Sequence, residues 1–259
     1  MIGLLFFVVL LAGIYIWRRQ NRKEIENRPI PPNPDQILET EVKYYRELPP
    51  ADKLRFVQEV NDFLRATRID PINTTITDTD KILVAASAVI PVFGFKEWHY
   101  SNLTDVLIYD DQFNENFQST GDNRNLMGMV GSGYMNDKML LSKTALRDGF
   151  SNKTDKENTG IHEFVHLLDK TDGVADGLPE ALLDKPFVIP WLHMIHQQIK
   201  EIQSDKSDIN PYGSTNQAEF FAVASEYFFE RPALLERKHP ELYKMLEQIF
   251  KQDPGKKET

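Results

Sequence analysis

The 259-residue sequence predicts a helix-rich α/β domain of the α+β kind, carried behind one N-terminal transmembrane helix. Three observations lead there. The first 17 residues, MIGLLFFVVLLAGIYIW, hold no charge, and Arg18, Arg19, Arg22 and Lys23 follow at once. Further along, apolar residues recur at helical spacing in long segments, and between these lie short apolar runs bounded by Asp, Asn and Gly. Hydrophobic residues make up 41% of the chain, enough for one sizeable core, which excludes disorder as the main state.

At ~1.5 Å per residue, Met1–Trp17 falls just short of the hydrocarbon thickness, and Trp17 with the arginines extends it into the interface. The basic cluster after the apolar run places the body on the cytoplasmic side, as a single-pass protein of the inner (cytoplasmic) membrane. Export after signal cleavage is the alternative, but a cleaved signal carries its positive charge before the apolar stretch and small residues after it. Residues 1–23 are thus read as an anchor with a basic flank that meets lipid headgroups. Residues 24–47, with NRPIPPNPDQ, read as a proline-rich polar spacer. Residues 48–250 form the single folded domain, and residues 251–259, with Lys251, Lys256 and Lys257, a polar tail.

Within the domain, Leu48-Pro49-Pro50 opens a helix to about Ala66, with Leu54, Val57, Val60, Phe63 and Leu64 on its apolar face. A second helix is predicted from about Thr79 to Ile90. Short strands are predicted at Val106–Tyr109, Met139–Leu141 and Met127–Val130, and a further helix runs from about Thr215 to Phe229. There is no cysteine, which excludes a disulfide scaffold, a thiol nucleophile and a Cys-liganded metal. The chain carries 30 basic and 39 acidic residues, and after the basic flank the excess of acid is larger still. Such a body repels polyanions, so nucleic acid is excluded as a partner.

The chemistry is concentrated at His162-Glu163-Phe164-Val165-His166. Residues four apart on a helix share one face about 6 Å apart, so both imidazoles can reach one tetrahedral zinc. Glu163 would then stand beside the water that zinc acidifies and could take its proton. That is the logic of a metallopeptidase with one Zn2+ per chain. Phe164, Val165, Leu167 and Leu168 supply the buried flank of the helix, and Lys170–Gly173 a stop.

A third ligand has to come from downstream. In TNQAEFFAVASEYFF, Glu219 and Glu226 are carboxylates set among apolar residues, and burying a carboxylate is costly unless it is paired or bound to metal. Their spacing of seven puts them on nearly the same face, so either can be the ligand and the other its hydrogen-bonding partner. Asp169, seven residues after His162, either orients a ligand or is an acid of the helix's closing turn. His193 and His196 offer a second pair three apart, with no acidic residue in step.

The segments His162–Pro179 (HEFVHLLDKTDGVADGLP) and Tyr212–Phe229 (YGSTNQAEFFAVASEYFF) resemble the zinc-dependent peptidase family of the Mlc titration factor A proteins, distantly related to the catalytic domain of anthrax lethal factor. The likeness spans about Leu48 to Phe250 and includes VLIYDDQF at 106–113. It implies a zincin-like metallopeptidase domain with a small mixed sheet and an aminopeptidase-like activity on peptides. Carried over, it makes His162, His166 and Glu219 the metal ligands, Glu163 the general base and Tyr212 a donor to the developing oxyanion. Glu219 is selected because the family pattern has a tyrosine seven residues before its ligand.

In zincin architectures an edge strand beside the active-site helix pairs with extended substrate. Met139, Leu140, Leu141 and Ser142 are read as that strand, after a loop containing Gly131, Gly133 and Asn136; a buried interior strand is the alternative. The function expected is a membrane-anchored zinc peptidase acting on a peptide or protein. Two other readings stay open, a regulatory module that sequesters a protein partner on the same fold and a zinc hydrolase of non-peptide substrates.

Overall fold

The computed structural model describes residues 28–112, 126–131, 136–152 and 155–256, together with Gly13. The predicted membrane segment and its basic flank lie outside the described residues apart from Gly13, as do Gly133, Lys257 and the end of the 106–113 segment. Among the described residues, no helix is long and apolar enough to cross a membrane.

The predicted spacer is corrected over its second half. Residues Pro34–Glu41 form helix α1 and Lys43–Arg46 a short helix α2, and Leu38, Val42 and Tyr45 are buried in the main core. The cause is local. Pro34 sits in the first turn, where its missing N–H costs nothing, and the three apolar residues recur at helical spacing. Helix α3, Pro50–Ala66, occupies the predicted range, but its face is rotated. Phe56 is buried with Val60, Phe63 and Leu64, whereas Leu54 is 77% exposed. Phe56 packs edge-on against Phe93 and beside Tyr44 and Tyr45, and this aromatic contact sets the face.

Strand β1, Arg68–Pro71, leads to α4, Asp78–Val92, which begins in a capping box between Thr77 and Asp80 and is buried along most of its length. Strands β2 (Asp105–Tyr109), β3 (Gly128–Val130) and β4 (Lys138–Ser142) complete a mixed sheet of order β1-β2-β4-β3. The first three strands of that order run parallel, and β3 is antiparallel to β4. Val106, Ile108, Met139 and Leu141 point into the main core, while Tyr109 and Leu140 join a small cluster on the other face.

Met139–Ser142 is therefore not the open edge that the sequence reading proposed. It lies between β2 and β3, with its residues buried and its backbone paired on both sides. The three-residue β3 takes the outer position, and its residues line a cleft beside the helix of the histidines.

Helix α5, Lys143–Ser151, follows β4 and precedes α6, Thr159–Asp169, the helix of the histidines. Gly160 lets α6 lie directly on α4, for a Cβ at that position would collide with Ser87. Behind α6, Phe164 makes edge contacts with Phe63 and Tyr100. Helix α7, Val188–Gln203, a 3-10 turn at Pro211–Ser214 and helix α8, Gln217–Glu230, supply the remaining wall. Helices α9 (Pro232–Lys238) and α10 (Pro240–Phe250) close the domain.

The expected polar tail is also corrected through residue 256. Gln252 accepts from the Tyr44 hydroxyl and donates to the Ile90 carbonyl, Asp253 accepts from the Tyr243 hydroxyl, and Lys251 lies over the Phe95 ring. These contacts dock the segment onto the body.

Candidate metal centre

Asn158 caps α6 by accepting the Ile161 N–H, and the helix then presents His162, Glu163 and His166 toward a cleft of about 610 Å³. Asn216 caps α8 in the same way through the Glu219 N–H, which fixes Glu219 in the first turn opposite the histidines. The Nε2 atoms of His162 and His166 lie 3.1 Å apart, and Glu219 Oε2 is 3.1 Å from the first and 3.3 Å from the second. These separations suit one ion. A tetrahedral site with ligand bonds of ~2.0–2.1 Å has edges of about 3.3 Å between ligand atoms. Among the described residues, His162, His166 and Glu219 form the one group of three or more such side chains able to hold a metal.

Glu226 lies deeper on the same face of α8. Its Oε1 is 2.7 Å from His162 Nδ1 and its Oε2 accepts the Asn158 N–H at 2.5 Å. With a carboxylate as acceptor, Nδ1 carries the proton and the Nε2 lone pair is left facing Glu219 and His166. The two glutamates that periodicity could not separate thus take different places, Glu219 in the triangle and Glu226 behind it. Asp169 takes neither. It is fully buried at the end of α6, accepts the Gly177 N–H at 2.8 Å, and is pushed up to about 6 by burial. Of its two readings, the structure favours the acid of a closing turn.

The electrostatics follow from crowding charge into a partly dry site. Burial works against a charged His162, but the carboxylates of Glu226, Glu219 and Glu163 raise its pKa well above the ordinary histidine value. Burial also opposes ionisation of Glu219, yet the two histidines outweigh it and hold that carboxyl at about 2. For Glu163 burial prevails, and its carboxyl rises above the usual range despite His162 and His166.

The front of the cleft comes from two other elements. The Glu163 side chain lies against β3 at Gly128, where an added Cβ would stand 2.5 Å from its Cγ and Oε1. That position admits glycine alone without displacing the carboxylate. Lys170, one residue past α6, donates to the Gly131 carbonyl at 2.8 Å and ties the end of β3 to the helix. Tyr212, in the 3-10 turn, is 52% exposed, with its ring centre 6.1 Å from that of His162. Burial and the neighbouring carboxylates of Glu219 and Glu163 raise its phenol's pKa, so it remains a proton donor at neutral pH. Met139, Leu140, Leu141 and Ser142 are not brought to the cleft. Nor are His193 and His196, both exposed on α7, where His196 pairs with Gln217.

The family described as glucose-regulated metallo-peptidase M90 matches residues 15–251. The chain belongs to that family. An Mlc titration factor A of Pectobacterium atrosepticum is 30% identical over 207 residues, covering 75% of this chain and 77% of that protein. A second, from Escherichia fergusonii, is 30% identical over 223 residues, covering 80% and 82%. An uncharacterized protein of Synechocystis sp. is 26% identical over 262 residues, covering 97% and 95%. As an M90 metallopeptidase the chain has a His-x-x-x-His pair and a glutamate in metal-binding register, and the resemblance first carried by its two motif segments is confirmed.

Sequence patterns leave the parts played at the site by Asn158, Gly128 and Lys170 unassigned. Asn158-Thr159-Gly160 ahead of an apolar helix carries a capping signal that could have placed the first of them. The others depend on contacts across the fold.

Proposed function

We propose that this M90 protein is a zinc peptidase in which His162, His166 and Glu219 hold Zn2+, Glu163 is the general base and Tyr212 the oxyanion donor. The observation that carries this reading is the convergence of three ligand atoms within about 3.3 Å beside a buried carboxylate that does not belong to their triangle. Zinc at such a site supplies a Lewis acid that acidifies water and polarises the scissile carbonyl. Glu163 takes the proton from the attacking water and returns it to the leaving amine. Its burial beside the triangle of ligand atoms places it within reach of both transfers. Tyr212 donates its phenolic proton in a hydrogen bond to the carbonyl oxygen as charge develops there. Glu226 keeps the Nδ1 proton of His162 in place so that Nε2 remains a ligand.

The test is metal analysis and a peptide-library cleavage assay on the wild type and Glu163→Gln. The wild type is expected to carry about one zinc and to cleave; Glu163→Gln should keep the metal and lose ~10²–10⁴-fold in turnover. Unchanged turnover would remove Glu163 as base, and loss of the zinc would make it a ligand.

We further propose that residues 1–17 anchor the chain in the inner membrane with the domain toward the cytoplasm, on the order of apolar and basic residues. Membrane fractionation and sequencing of the mature N-terminus test this. A second reading is favoured by the name of the relatives, which refers to titration of Mlc. On it, the domain also sequesters a protein partner.

A further inference from the structure

We propose that Asn158 is a positioning residue for the metal centre, one that holds Glu226 against His162 and is itself held by Glu230. The proposal rests on the reading of His162 as a metal ligand. Asn158 is fully buried, and each of its polar groups is engaged. Its backbone N–H donates to Glu226 Oε2 at 2.5 Å, and Glu226 Oε1 meets His162 Nδ1 at 2.7 Å. Its carbonyl accepts the His162 N–H at 2.9 Å. On the side chain, Oδ1 accepts the Ile161 N–H at 3.1 Å, while Nδ2 donates to Glu230 Oε1 at 2.9 Å and to the Gly149 carbonyl at 3.2 Å.

Glu226 and Glu230 are one turn apart on α8, so the first grips the backbone of Asn158 and the second its side chain. The third tie reaches α5, whose backbone at Gly149 comes so near that a Cβ there would lie 2.9 Å from Asn158 Cγ. The residue that starts the histidine helix is thereby fastened to two other helices. Any slip of Asn158 would loosen the acceptor that fixes the His162 ring.

Capping alone does not explain the residue type. Ser, Thr and Asp cap a helix about as well as Asn, because a cap needs only an oxygen that accepts from the first turn. Only the carboxamide adds two N–H donors to that oxygen, and both are in use. The amide half of the side chain therefore serves the tie to Glu230 and Gly149. The oxygen half serves the cap.

That division gives the experiment. Asn158→Asp keeps the capping oxygen, removes both donors and sets a second carboxylate against Glu230. Glu230→Gln by itself keeps an acceptor for the amide. In the double variant the donor and acceptor change places, because the amide introduced at 230 donates to the carboxylate introduced at 158. The full-length chain and the three variants are compared by the Kd for zinc from chelator competition and by the visible absorption of Co2+ in the site. Thermal unfolding of the metal-free proteins checks that each folds.

Asn158→Asp is expected to weaken zinc binding about 10-fold, at the low end for a partner of a ligating histidine, and to shift the Co2+ bands. Glu230→Gln should stay close to wild type. The double variant should recover most of the affinity and the original spectrum; recovery is partial because the Gly149 carbonyl still lacks its donor. A folded Asn158→Asp protein with wild-type Kd and spectrum would overturn the proposal, and so would a loss that the second substitution does not repair. If Asn158→Asp does not fold, Asn158→Ser takes its place, since serine caps without an amide; wild-type zinc affinity in that variant overturns the tie equally. His162→Ala separates this from the underlying reading. If that variant keeps zinc, the ligand assignment has failed and not merely the role of Asn158.

Discussion

On the α6 and α8 side of the cleft, His162 is backed by the buried Glu226, and Glu226 in turn by the buried Asn158. On the β3 and Tyr212 side, the groups that line the cleft stand on a three-residue strand and a 3-10 turn, and Tyr212 is half exposed. The contrast assigns different work to the two walls. The rear holds three ligand atoms 3.1–3.3 Å apart and so should govern metal affinity. On the proposed function the front is the wall that meets an extended substrate, so it should govern turnover and leave the metal largely indifferent.

Tyr212→Phe gives the largest separation expected of the two walls. Loss of one donor to the oxyanion slows turnover by roughly 10²–10³-fold, while zinc affinity stays at the wild-type value. Zinc titration beside steady-state kinetics reads both quantities, and a parallel drop in metal binding would place Tyr212 with the rear wall. Gly128→Ala tests the other front element. The added methyl overlaps Glu163, and a displacement near 1 Å from the reacting geometry costs about 10²-fold in turnover. Metal content should again be unaffected, and undiminished turnover would mean that Glu163 has room to move.

The rear wall should respond in the opposite sense. Glu226→Ala leaves the Nδ1 proton of His162 without its acceptor and is expected to weaken zinc ~10–100-fold, short of the loss in Glu219→Ala. Activity measured at saturating zinc should recover. If Glu226→Ala empties the site and Glu219→Ala does not, the two glutamates have been assigned the wrong way round.

How far each wall was legible in the sequence follows the same division. His162, Glu163 and His166 could be read because a spacing of four on a helix is a local property. Glu219 and Glu226 could be read as a pair but not told apart, since a spacing of seven gives both the same face; only their depth along α8 separates them. Gly128 meets Glu163 35 residues away in the chain, so no local pattern announces it, and of Asn158 only the cap was legible, because its ties to Glu226 and Glu230 span 68 and 72 residues. Strand order was illegible for a similar reason. Nothing in Met139–Ser142 says that β3 will cover its outer edge. The first half of the domain misled in a different way, because the prolines around residue 34 drew attention from the apolar stripe of Leu38, Val42 and Tyr45.

The smallest effect is expected where the two walls join. Asp208 precedes the Tyr212 turn, and its carboxylate accepts from Lys156, Lys238, His239 and the Tyr227 hydroxyl at 2.6–2.9 Å. Beside it, Asn210 donates to Glu157, so the turn is clasped to the segment just before Asn158. Partial burial would raise the Asp208 carboxyl, but these four donors hold it well below the usual carboxylate range. Its folded pKa therefore lies under the unfolded value of ~4, and its contribution to stability is present above about pH 4 and is lost as the pH falls through the folded value. Asp208→Asn should cost about 1–2 kcal/mol at neutral pH and less as the solution is acidified, converging on the wild type at low pH. Denaturant unfolding of both proteins across that range measures it, and a cost that does not change with pH would show that the clasp holds by shape and not by charge. Because the clasp bears directly on the Tyr212 turn and reaches His162 only through the segment before Asn158, turnover at neutral pH should fall modestly and zinc affinity less than in Asn158→Asp, which places Asp208 with the front wall although it is packed against the rear.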